Sequence, residues 1–124
     1  MKTELMNQTQ LEALIDLLVF ATMTDKAFSE IETQSLETDL LALPWTSGIS
    51  VSSYKNASYA RARAASSDTA KANYLKQLCA VFDGARVKQD VFAAIEELLA
   101  SDAVAVGEDS FLERLKLELG LGSI

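Results

Sequence analysis

Apolar residues along this chain recur every three and four positions rather than every two. Leu11, Leu14, Ile15, Leu18 and Val19 form one stripe of an amphipathic helix. Leu17, Phe20 and Ala21 widen that stripe, which predicts a helix close to the centre of the fold. Thr9 with Glu12 reads as a capping box opening it. After a turn over Thr24 to Phe28, Ser29 with Glu32 reads as a second box. It opens a helix to about Leu43, with Leu36, Leu40 and Leu43 on one face and Pro44 as its stop. The loop Pro44-Trp45-Thr46-Ser47-Gly48-Ile49-Ser50 follows. A third helix starts near Val51 to Ser53 and runs to about Ala65, rich in alanines that let a neighbour approach closely. Asp68 caps a fourth, with Tyr74, Leu75, Leu78, Val81 and Phe82 as its stripe and Asp83-Gly84 at its end. A fifth covers about Val87 to Ser101, with Val91, Ala94, Ile95, Leu98 and Leu99 inward. A sixth covers about Glu108 to Leu119, with Phe111, Leu115 and Leu119 inward and Gly120 as its stop. No window alternates as a strand would. The expectation is one all-α domain over residues 1–124, a compact bundle of about six or seven helices.

The first and last helical pairs share a layout. Each has an apolar helix, an acidic residue, a short turn and an acid-rich start to a second helix. Asp25 corresponds to Asp102 at an offset of 77, and Glu32 to Asp109 at the same offset. Charge divides the same way. Residues 1–49 carry a net −6, residues 50–90 a net +4 and residues 91–124 a net −5. Two acidic ends therefore flank a basic middle that holds Lys55, Arg61, Arg63, Lys71, Lys76, Arg86 and Lys88.

Composition narrows the chemistry. The chain has no histidine, so it has no Ser-His-Asp triad, no imidazole base and no histidine-bound metal. Cys79 is the only cysteine, which excludes an intrachain disulfide and a cysteine-rich zinc or iron–sulfur site. A net charge of −7 argues against general affinity for nucleic acid or anionic membranes. The polar stretch Met1 to Gln10 lacks a signal-peptide layout, and the longest apolar run, Leu17 to Ala21, is too short to span a bilayer. A cytoplasmic protein without direct membrane insertion is the expectation. No catalytic constellation stands out, so a non-enzymatic role is expected.

Two segments carry a family resemblance. The first is Ala21-Thr22-Met23-Thr24-Asp25-Lys26-Ala27-Phe28-Ser29-Glu30-Ile31-Glu32. The second is Leu99-Ala100-Ser101-Asp102-Ala103-Val104-Ala105-Val106-Gly107-Glu108-Asp109. With the closing Phe111 to Leu121, they resemble the tellurite-resistance TerB-like domain family over about residues 10–121. Lys26 and Ala103 stand where that family's turn has glycine. The resemblance implies an all-helical module associated with tellurite and other chemical stress, binding ions or partners rather than turning over substrate.

The candidate chemistry is a divalent cation such as calcium, held by Asp25, Glu30, Glu32, Asp102, Glu108 and Asp109. Hard cations take several oxygen ligands, and clustered carboxylates supply them. The alternative is capping, since acids in a first helical turn face the positive end of its dipole. The basic stretch Tyr54 to Arg63 reads either as a phosphate-binding surface or as a solvated helix with tyrosines at the core edge. A structural adaptor using the basic middle helices and the Trp45 loop is the second functional reading, with a protein partner or self-association. Trp45 itself reads either as an anchor or as a side chain folded back on the core, and Cys79 as a buried small hydrophobe. Calcium titration followed by NMR separates ligation from capping: a cation site moves the amide shifts around Asp25 and Asp102 together. Unchanged shifts at millimolar calcium overturn it.

Overall fold

The computed structural model describes residues 6–24, 30–100 and 108–121, with side chains undescribed at 24, 30–33, 35, 39, 99, 100 and 108–111. The described residues contain six helices: α1 Gln8–Thr24, α2 Glu30–Leu41, α3 Val51–Ala64, α4 Asp68–Cys79, α5 Ala85–Ala100 and α6 Glu108–Glu118. The all-α expectation holds.

α1 is the central element, touching α2, α3, α4 and α5. Every side chain from Ala13 to Thr22 is buried, and Leu14, Ile15, Leu17, Leu18, Val19 and Ala21 have no exposed surface. Its opening differs from the Thr9–Glu12 box. Asn7 Oδ1 accepts from Gln10 N at 2.9 Å, and Gln10 Oε1 accepts from Asn7 N at 3.1 Å. An Asn-x-x-Gln pair satisfies the same orphan donors as Thr-x-x-Glu, and it lies two residues upstream. Gln8, freed from capping, reaches the loop after α2. Its Oε1 accepts from Thr46 N and Thr46 Oγ1, each at 3.0 Å.

α2 ends at Leu41, short of Leu43, and Leu43 N then bonds Leu40 O at 3.4 Å in a closing turn. Leu36, Leu40 and Leu43 are buried as the spacing predicts. Ser29 lies outside the described residues, and so does the side chain of Glu32, so that box is not described. Ser50 caps α3 by accepting from Ser53 N at 3.1 Å. The fourth cap is Ser67 rather than Asp68, because Ser67 Oγ accepts from Ala70 N at 3.0 Å. Asp68 is the first helical residue instead, where its charge meets the helix dipole. α6 closes with Gly120 at φ +74°, while Gly120 N bonds Leu117 O at 3.0 Å and Leu121 N bonds Lys116 O at 2.9 Å. This paired arrangement needs a left-handed residue, hence glycine.

The internal repeat survives in the helix bounds. Shifting α1 and α2 by 77 positions carries them onto 85–101 and 107–118, within a residue of α5 and α6. Buried Leu14, Leu17, Leu18 and Ala21 then fall on buried Val91, Ala94, Ile95 and Leu98. The second helices slip by one position. Leu36 and Leu43 correspond to Leu112 and Leu119 at an offset of 76, which sets Glu32 against Glu108 rather than Asp109. Leu18→Ala, at the centre of α1, is expected to cost about 3–5 kcal/mol, read as a shift in urea midpoint at unchanged slope.

Candidate functional site

A charged residue on a fully buried stretch of helix must find its partners inside the protein. Asp16 meets that requirement on the face α1 turns toward α3. Its relative exposure is 6%. One carboxylate oxygen accepts from the Arg61 guanidinium at 2.6 Å, and the other from the Tyr54 hydroxyl at 3.0 Å. Tyr54 and Arg61 sit seven residues apart on α3, two turns, so both reach one carboxylate from the same helix face. Arg61 also lies over the Tyr54 ring, 5.0 Å from its centroid. Between them Ser58 has no exposed surface, and Tyr74 of α4 packs edge-on against Phe20 at 5.2 Å. The Ser58 and Tyr74 hydroxyls are buried without a hydrogen-bond partner among the described residues.

The cluster's electrostatics follow from this packing. Burial, reinforced by the Asp16 charge and hydrogen bond, pushes the Tyr54 hydroxyl far above its ordinary value. Burial and the Asp16 charge push Tyr74 up as well, while nearby Arg61 and Ser58 act against it. For Arg61, burial works against the cation, but the hydrogen bond and charge of Asp16 outweigh it and raise its pKa. Both tyrosines therefore stay protonated and Arg61 stays charged near neutrality.

One turn further along α1 the same seam opens into a groove of about 240 Å³. Phe20 and Met23 of α1 line it with Ala62 and Ala65, while Arg63 and Lys71 flank it from α3 and α4. Among the described lining residues there is no carboxylate. Met23 is 38% exposed, and both basic side chains face solvent. α3 and α4 together carry five basic residues and a single acid, Asp68.

The sequence-predicted residues fall into three groups. Asp25 and Asp102 lie outside the described residues, as do the side chains of Glu30, Glu32, Glu108 and Asp109. Glu30 and Glu108 are the first residues of α2 and α6. Among the described residues no three His, Cys, Asp or Glu side chains cluster as a metal would require. The tyrosines of α3 do sit at the core edge, with Tyr54 and Tyr59 packed against it. Trp45 folds back. It packs on the core, meets Tyr54 edge-on at 5.5 Å and donates from Nε1 to Ile49 O at 2.6 Å. Of the two placements open from sequence, Trp45 takes the one against the core, and Ile49, 57% exposed, is the loop's outward apolar residue. Cys79 is buried, and burial with the Glu118 charge pushes its thiol up to about 12, which makes it inert.

Sequence reasoning missed Asp16. The available signal was an acid set between Ile15 and Leu17 in an otherwise apolar helix. No family model, curated protein or solved structure matches this chain. The TerB-like resemblance accordingly rests on its short motifs alone. No helix among the described residues is long and apolar enough to cross a membrane.

The ion pair predicts an asymmetry. Arg61→Ala strands the Asp16 carboxylate in a buried site, expected to cost about 2–3 kcal/mol. Asp16→Asn leaves Arg61, with a side chain 43% exposed, free to swing into water, expected to cost about 1 kcal/mol. Chemical denaturation of both variants checks the order, and equal losses contradict it.

Proposed function

We propose that this chain is a non-enzymatic helical interaction module of the cytoplasm whose α3–α4 face docks an acidic protein segment. The supporting observation is the groove beside Arg63 and Lys71, which sets Phe20, Met23, Ala62 and Ala65 beside Ser66 and a basic rim. Such a site takes an apolar side chain while its rim pairs with carboxylates beside it. The net charge of −7 opposes a long polyanion such as nucleic acid, which would meet the acidic ends as well. From the TerB-like resemblance alone we further propose that the module serves in a chemical-stress response, with a hard cation on the acidic turns. The calcium titration above tests that part separately.

The docking reading is checked with a fluorescent peptide of mixed Glu and Leu, followed by anisotropy. Binding is expected at low salt and is expected to weaken as salt screens the rim. Arg63→Glu combined with Lys71→Glu is expected to lower affinity about tenfold or more, at unchanged helicity by circular dichroism. Equal affinity of the variant and the parent chain contradicts the reading.

A further inference from the structure

The groove's apolar floor and basic rim have a counterpart elsewhere on the same chain. α2, with the sequence EIETQSLETDLL, carries four acids and no base. No basic residue occupies its last turn, so the negative end of its dipole is uncompensated from within the helix. At that end stands Leu41, 87% exposed, the most exposed large apolar side chain among the described residues. Glu37, one turn earlier, has a side chain 50% exposed and pairs with Lys55.

Knob and groove lie at opposite ends of α1. Leu41 is at the Gln8 end, because Thr46, five residues on, bonds Gln8. The groove is at the Phe20–Met23 end. The fifteen helical steps from Gln8 to Met23 span about 22 Å. A chain therefore cannot fill its own groove with its own Leu41, whereas a second copy can.

We propose that the occupant of the groove is the α2 C-terminus of a second copy, making a head-to-tail self-association. The proposal rests on the docking reading above and identifies its partner. Leu41 of one copy enters between Phe20, Met23, Ala62 and Ala65 of the next. Arg63 and Lys71 then face Glu37 and the negative end of the α2 dipole. Donor and acceptor surfaces differ, so the contact is heterologous and leaves one knob and one groove open at the ends of each assembly.

Sedimentation velocity at low and high salt tests it with two single-sided variants. Leu41→Asn removes the knob, and Arg63→Glu with Lys71→Glu removes the groove. All three positions are exposed, and circular dichroism confirms that the variants fold. The parent chain is expected to self-associate at low salt, and association is expected to fall about tenfold or more in 0.5 M salt. Each variant alone is expected to sediment as a monomer. An equal mixture of the two is expected to give a dimer and nothing larger, since it holds one intact knob–groove pair. A parent chain that stays monomeric at low salt overturns the proposal, as does association that survives in either variant, or a mixture that stays monomeric. If the acidic peptide still binds the parent chain in those cases, the docking reading stands and only the second copy is excluded.

Discussion

The structure depends on one constraint: a helix buried on every side has nowhere to put a charge except against a partner it recruits. From Ala13 to Thr22 no side chain of α1 reaches water appreciably. Two of those ten residues are polar. Thr22 is satisfied locally, its Oγ1 donating to Val19 O at 2.7 Å. Asp16 cannot be satisfied within its own helix, so it reaches across to α3. Taking the Asp16 carboxylate out of water costs several kcal/mol, which offsets much of what the pair with the half-exposed Arg61 gains. Its effect is on placement. A carboxylate that needs both Tyr54 and Arg61 fixes how far α3 can slide along α1 and which face it turns inward.

The rest of the seam follows from that register. With Tyr54 and Arg61 committed to Asp16, the next inward positions of α3 are Ser58 and Ala62, both small and both buried. Small side chains allow the two backbones close together, and α3 packs more extensively on α1 than any other helix does. Where α3 ends, Ala62 and Ala65 are too short to fill the space between Phe20 and α4. The groove is thus the far end of the same close approach. Its basic rim arises because α3 and α4 carry five basic residues against a single acid, and Arg63 and Lys71 point outward.

Much of this fold was legible from periodicity, because the apolar stripes are long and turn residues separate them. The helices fall within a few residues of the predicted ones, and the buried leucines of α2 and α6 are those the spacing selects. Caps were less legible. Asn7 and Ser67 each lie one or two residues upstream of an equally plausible capping residue, and only backbone geometry separates such neighbours. The site was least legible. Asp16 and Arg61 are 45 residues apart, and nothing local to either names the other. Arg61 reads from sequence as a solvated basic residue like Arg63, and only the helix packing sends one inward and leaves the other at the groove. Trp45 was legible only as a choice between two placements, settled by the Tyr54 ring and the Ile49 carbonyl.

The order of the helices also has a consequence during synthesis. The most buried helix comes early, and α5, which covers part of it, is complete only 76 residues after α1 ends. At ribosomal rates of about 5–20 residues per second, that delay is about 4–15 s. Throughout it, the run from Leu17 to Ala21 has no finished core to enter. The nascent chain therefore presents a strongly apolar segment well before it can fold.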